Sequence, residues 1–341
     1  MSSIAILISA IKIIVLLGFV ILIHECGHFF AARWCKVKVK EFAIGFGPVI
    51  WKKQTRETKY TLRLIPLGGF VNMVGEEERS DETGSFSKIS IPKKILIILA
   101  GGIVNIIFGL LVYFILISSL GNHVSTTIES IEPGYAAELS GIKAEDKILK
   151  IDGEKIRLRN ELNKTVNSSG GKELNIIIKR GNETKDISLV PTMQSDQGIN
   201  VYYLGVNLKP AEKNFVNYMY YGFWSTVDFS VSIVDSLKLL FTGKVGVENL
   251  IGPVGISQVV SATEGFVQYI YIIAVISLSL GVTNLLPLPP LDGGKVVIYI
   301  IEAIRRKPMQ EKVESWIQLT GFAFLIGLSI FVAYNDVLRI F

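Results

Sequence analysis

Apolar positions along the chain gather into four long runs, and the stretches between them alternate or recur at steps of three and four. The first run, residues 4–23, is broken only by Ser9 and Lys12. At about 20 residues it is long enough to cross a bilayer. No basic segment precedes it and no small-residue cleavage site follows, so it is expected to stay as a transmembrane helix and not to be removed as a signal peptide. Residues 95–120, 268–304 and 316–334 form the second, third and fourth runs, the third interrupted by "LLPLPPLDGG". Residues 214–241 differ. Phe223, Val227, Val231, Val234, Leu237 and Phe241 mark one helix face, while Asn217, Asp228, Asp235 and Lys238 interrupt the rest. That pattern predicts an amphipathic helix lying at the membrane interface.

The intervening stretches read as strands. "FAIGFGPVIW" and "YTLRLIPLGGFVNMVG", inside a loop over 36–91, predict glycine-punctuated strands or hairpins dipping towards the membrane. Residues 121–208 alternate strand-like runs with Gly, Pro and Asp-Gly turns and amount to one small α+β domain. The organisation expected is a membrane core over 1–120, the inserted domain over 121–208, an interfacial helix and loop over 209–265, and a second membrane core over 266–341. The fold class is thus an α-helical polytopic membrane protein with four transmembrane helices, a membrane-associated β region and an extracytoplasmic α+β domain. Between Arg33 and Lys94 thirteen basic residues face seven acids, and "RRKPMQEK" follows the third run. Both segments should therefore be cytoplasmic, with both termini and residues 121–265 outside.

Composition agrees: half of the 341 residues are hydrophobic and only 19% are charged, below the quarter usual in soluble domains. A net charge of +5 is ordinary for basic cytoplasmic loops and calls for no nucleic-acid partner. Two cysteines, Cys26 and Cys35, cannot build a disulfide framework.

The candidate chemistry sits in "HECGH". On a helix His24 and His28 lie one turn apart on one face, so both imidazoles can reach one ion. Glu25, about 100° round, can reach a water beside it. Two of the chain's three histidines are here, at membrane depth, where ionisable groups are costly and mark function. A catalytic zinc needs a third protein ligand, and His123 lies outside the second run. Asp292 is the best candidate, since it follows about 20 apolar residues of the third run as His24 does of the first. Pro287, Pro289 and Pro290 must break the helix before it, which is tolerated at membrane depth where backbone lines a wet cavity. His24 and Asp292 share a height only if residues 214–241 do not cross.

"HECGH" and "NLLPLPPLDGG", with "GFGP", "PLGGFVNM", "AGGIVN" and "IGPVGISQ" between them, resemble the site-2 protease family of intramembrane zinc metalloproteases. The likeness is to its bacterial regulator-of-sigma-E protease branch, with a single PDZ domain over 121–208. The resemblance implies one Zn2+ held by His24, His28 and Asp292, with Glu25 as general base. It implies cleavage of single-pass membrane proteins in a bacterial cell membrane, near the cytoplasmic side, after an upstream site-1 protease has trimmed them. It also suggests that the strands carrying Gly45, Phe46, Gly69 and Phe70 pair with an extended substrate, although these glycines equally suit plain turns. Leu204, Gly205 and Val206 resemble the loop that receives a peptide C-terminus. Asn284 suits either substrate binding or an interhelical hydrogen bond. Asn105, at four-residue spacing with Gly101 and Gly109, reads first as helix packing and second as substrate-facing.

Two other classes are weaker. A non-catalytic receptor binding trimmed ligands through its PDZ domain has no use for Glu25. A zinc transporter would need ionisable groups along its other spans, which have almost none.

Overall fold

The computed structural model describes residues 3–340 except 77, 79, 197, 198 and 247–249. The last three, in the loop expected within 209–265, lie outside the described residues, as does the start of the chain. Helix α1, Ser3–Trp34, carries the first apolar run and continues through the histidine motif. At 1.5 Å per residue His24 lies ~25 Å along from Leu7, still within the roughly 30 Å of a hydrocarbon layer. Strands β1, Val39–Gln54, and β2, Lys59–Met73, follow, then helix α2, Ile91–Leu120. Near the C-terminus come helices α6 to α9: Pro253–Ser261, Phe266–Asn284, Asp292–Arg305 and Glu311–Ile340. Four helices among the described residues, α1, α2, α7 and α9, are long and apolar enough to cross a membrane.

Two expectations change in detail. The third run does not form one broken span over 268–304: α7 stops at Asn284, and α8 starts afresh at Asp292 after a non-helical loop. Prolines without an amide hydrogen at 287, 289 and 290 account for the stop. The segment expected as loop before residue 265 contains α6, with Pro253 in its first turn. Buried Asp336 of α9 accepts hydrogen bonds from the backbone N–H groups of Gly252 (3.2 Å) and Gly255 (2.8 Å), where a helix start favours a carboxylate. This tie crosses 81 or more residues of sequence and had no local signal.

β1 and β2 are long and bent. Glu41 to Ile44 pair with Gly69 to Asn72 on one side and with Lys59 to Leu62 on the other. Glu41 accepts hydrogen bonds from Thr61 Oγ1 (2.7 Å) and Arg63 Nη2 (2.8 Å). Burial pushes its carboxyl pKa up, but these bonds and Lys59 outweigh that and hold it below the ordinary value. Phe29, Phe42, Val71, Ile97 and Tyr299 form a shared core that fixes this sheet against α1, α2 and α8.

Residues 114–234 form a second compact unit. It holds β3 to β10 (Val124–Ile131, Lys147–Ile151, Glu154–Lys155, Leu174–Arg180, Glu183–Leu189, Thr192–Asp196, Ile199–Tyr203, Val206–Pro210), α3 (Ala136–Leu139), α4 (Arg159–Ser168) and most of α5 (Phe215–Phe241). The main sheet has the order β10-β3-β4-β6-β7 over a core including Ile128, Ile148, Ile176 and Leu162. The amphipathic helix expected over 214–241 is present as α5, where Arg157 lies over the Trp224 ring at 3.8 Å.

Fully buried Asp146 accepts two hydrogen bonds from Arg180, at 2.8 and 2.7 Å, and one from the Lys143 amide at 2.8 Å. Burial raises its pKa, but these donors outweigh that and lower it below the ordinary value. Its contribution is therefore present above pH ~4 and is lost as pH falls through the depressed folded value. Asp146→Asn should cost about 2 kcal/mol, read as a roughly 30-fold loss of hydrogen-exchange protection in β3, β4 and β6 of the full chain at pH 7. The gap to the unsubstituted protein should close below pH 4.

Candidate active site

Near the end of the first apolar run, His24 and His28 meet Asp292 of α8. His24 Nε2 lies 3.2 Å from His28 Nε2 and 3.2 Å from Asp292 Oδ2, and His28 Nε2 lies 3.3 Å from the same oxygen. All three groups are buried or half-buried. Three donors on a tetrahedral ion at 2.0–2.1 Å would stand roughly 3.3 Å apart. The triangle therefore fits zinc, and among the described residues Asp292 Oδ2 has no other hydrogen-bond partner to occupy it. His28 Nδ1 donates to the Ile97 carbonyl at 2.9 Å, which sets the tautomer and leaves the Nε2 lone pair towards the cluster. Two imidazoles and one carboxylate leave a fourth position, as catalytic zinc sites do.

Glycines bring the elements this close. A Cβ on Gly27 of α1 would sit 2.5 Å from the Ala100 carbonyl oxygen, and one on Gly101 of α2 would sit 2.4 Å from His28 Nε2. α2 therefore runs directly against the imidazoles. Gly293 and Gly294 follow Asp292 and are packed on the preceding loop, with virtual Cβ atoms 2.3 Å from Leu286 O and 2.6 Å from Pro289 N. Any side chain there would push Asp292 off the cluster.

A cavity of about 470 Å³ opens on the three donors and is lined also by Glu25, by Gly69 to Met73 of β2, and by Glu76 and Lys295. Gly69 abuts Glu25: a Cβ on it would lie 3.0 Å from the glutamate's Cγ. Among the described residues the Gly69–Met73 segment pairs with β1 alone, so its other edge is open beside Glu25.

A family model described as Peptidase family M50 matches residues 12–328, which include both metal motifs and everything between them. The chain belongs to Peptidase family M50. This is the site-2 protease family that the motifs resemble. The regulator of sigma-W protease RasP of Bacillus subtilis is 30% identical, over 98% of this chain and 99% of its own. The zinc metalloprotease RasP of Geobacillus kaustophilus is 29% identical, over 98% of each. A solved PDZ domain of an SdrC-like protein from Listeria monocytogenes, 21% identical, covers 25% of this chain and 88% of its own with a TM-score of 0.22.

Within this M50 peptidase the remaining candidates divide. Gly69 and Phe70 line the cavity, whereas Gly45 and Phe46 do not; they shape the bend of β1. Gly45 has a φ of +87°, and the Phe46 ring covers Gly68. Asn284 ends α7 and is not among the cavity's lining residues. Asn105 is fully buried in α2, where its carbonyl accepts a hydrogen bond from Ser277 of α7 at 3.1 Å. Gly109 packs against the Ala274 carbonyl and Gly102 against that of Gly281, while the Asn105 side-chain amide is buried without a hydrogen-bond partner among the described residues.

In the second unit Leu204, Gly205 and Val206 border a cavity of about 420 Å³ between α4 and β10. The Leu204 and Gly205 carbonyls accept from Ala137 and Glu132, each at 2.9 Å. Gly205 has a φ of +77° and is pressed on Tyr135, so substituting it would disturb the fold together with the groove.

Sequence reasoning missed Gly101 as an imidazole neighbour, and missed Glu76 and Lys295. The spacing of Lys295 three residues after Asp292, one helical turn on, was the available signal. Gly101→Ala should displace His28 and weaken zinc binding by at least ~10-fold, measured as metal retained against a chelator. Gly327→Ala, where a Cβ meets nothing within 4 Å, should retain zinc like the unsubstituted protein.

Proposed function

We propose that this multi-pass membrane peptidase is a zinc-dependent endopeptidase that cuts the transmembrane segments of single-pass membrane proteins. The observation that carries this reading is the metal-fitting triangle placed within one cavity with Glu25 and an open strand edge, on a helix apolar enough to cross the bilayer. Zinc, when bound, supplies Lewis acidity to water and to the scissile carbonyl. Glu25 takes the proton of the attacking water and passes it to the leaving amine. A transmembrane helix hides its peptide bonds in its own hydrogen bonds, so a substrate must first be extended. The free edge of Gly69–Met73 offers replacement backbone partners for one extended strand. Phe70, which borders the same cavity and carries the Arg63 guanidinium over its ring at 5.1 Å, would support the strand from that side.

The excess of basic residues over 33–94 supports placing that sheet and the active site near the cytoplasmic side of a bacterial cell membrane. The two termini and the PDZ-like unit are then extracytoplasmic. The name of the Bacillus relative, a regulator of sigma-W, supports anti-sigma factors as one substrate class, with signal-peptide remnants as another. An upstream site-1 protease would supply the trimmed substrate, and the PDZ-like groove would meet it outside the membrane.

Purified protein in detergent should cleave a single-span reporter. Glu25→Gln should lower turnover roughly 10²–10⁴-fold at unchanged zinc content. Equal cleavage by both proteins would remove Glu25 from the reaction. Gly69→Pro and Phe70→Pro should each reduce turnover at least ~10-fold with zinc still bound. Successive strand amides alternate between edges, so one proline deletes a donor from the free edge and the other deletes one from the ladder to β1. Unchanged turnover in both would exclude strand pairing there.

A further inference from the structure

Proteolysis at this site needs more than a metal and a base, because the scissile carbonyl oxygen acquires a full negative charge as water adds. Preorganised donors aimed at that oxygen are commonly the largest contribution to such reactions. Asn284, whose amide suits either substrate binding or an interhelical hydrogen bond, is not among the cavity's lining residues. Among the described residues that line it, the acids are Glu25, Glu76 and Asp292, and the one ammonium or guanidinium belongs to Lys295.

Lys295 lies in the first turn of α8, three residues after Asp292 and so on the same face as that carboxylate. Its Nζ donates to Glu76 Oε1 at 3.0 Å. Glu76 in turn follows the end of β2 by three residues, so the ion pair joins the helix carrying Asp292 to the strand whose Gly69 abuts Glu25. Both side chains are only partly exposed, at 31% for Lys295 and 16% for Glu76. An ammonium carries three N–H donors, and Glu76 is the one side-chain acceptor recorded for this one among the described residues. Gly69–Met73, Glu25 and Lys295 line the same cavity, so a peptide laid along that strand would share it with both groups.

We propose that Lys295 is a substrate-contacting catalytic residue, donating a hydrogen bond to the scissile carbonyl oxygen while Glu76 holds the ammonium in position. The water oxygen bonds to the carbonyl carbon, the carbonyl π pair moves onto oxygen beside Lys295, and the water proton passes to Glu25. The oxygen's pair then re-forms the carbonyl, the C–N bond breaks, and the amine nitrogen takes the proton from Glu25. Lys295 keeps its own protons throughout. As Glu25 is neutralised by the proton, the new oxyanion would meet N–H donors of an ammonium that lies one helical turn from a metal ligand and whose own charge is balanced by Glu76. The role rests on the peptidase reading of the same cavity.

The test compares Lys295→Met, Lys295→Arg and Glu76→Gln in the full chain, in detergent, on a single-span reporter, with kcat, KM and bound zinc measured separately. Lys295→Met should lower kcat at least ~100-fold, the loss expected for one oxyanion donor, with KM within about threefold and zinc unchanged. Lys295→Arg should recover at least about a tenth of the original kcat, since the cation and its donors remain. Glu76→Gln should cost less than about tenfold, since the ammonium itself is kept. Equal losses in Lys295→Met and Glu76→Gln would overturn the proposal and make the pair a structural tie. A change in KM alone, loss of zinc from Lys295→Met, or full activity of that variant would overturn it too. Failure of the unsubstituted protein to cut the reporter, with Glu25→Gln equally inactive, would instead count against the peptidase reading on which the role rests.

Discussion

Two imidazole nitrogens and a carboxylate oxygen stand within 3.3 Å of one another at the end of an apolar helix, and much of the membrane core is arranged around that approach. Burying a carboxylate among lipid-facing helices costs several kcal/mol unless it is compensated, and the compensation here is the metal that the donors fit. The approach demands backbone without side chains. Gly27 and Gly101 let α1 and α2 touch behind the histidines, and Gly293 and Gly294 let the start of α8 sit down on the loop before it. In lipid such packing matters more than hydrophobic burial, because the tails outside are as apolar as the side chains inside.

The same constraint shapes what lies next to the metal. A helix break at the prolines before Asp292 exposes backbone that lipid could not satisfy. The Leu286, Leu288 and Leu291 amides instead donate to the Thr283, Leu286 and Leu288 carbonyls at 3.0, 2.7 and 2.9 Å, beside the polar cavity that opens on the three donors. Into this cavity the bent β2 brings a strand edge. Its residues are anchored to the helices through Phe42, Val71 and Tyr299, and its sheet is tied internally by Glu41 to Thr61 and Arg63. Rigidity on one side of Gly69–Met73 and an open edge on the other are the two properties that a strand-pairing platform requires.

The second unit, residues 114–234, is built by different physics. It has a water-excluding core of Ile128, Ile148, Ile176 and neighbours, and one buried ion pair, Asp146 with Arg180, fully supplied with donors. Its groove borders β10, an edge strand of the main sheet. Among the described residues β10 pairs only with β3, so the groove borders a strand edge.

Periodicity and the membrane's thickness made the spans, the amphipathic α5 and the strand-rich loop legible in advance, because each is a local pattern with a fixed length scale. The i, i+4 spacing put His24 and His28 on one face, and matching depth along two apolar runs selected Asp292 as their partner. Other features depend on segments distant in sequence and therefore left no local trace: Gly101 beside His28, the Asp336 carboxylate on α6, and the choice of Glu76 as the partner of Lys295. Glycine in a transmembrane helix announces close packing, but which group it admits is decided only when the helices meet. The residue types, their spacing and their depth determined the chemistry of this chain. The tertiary structure decided which neighbours stand around it, since short-range contacts between elements far apart in sequence are set by packing.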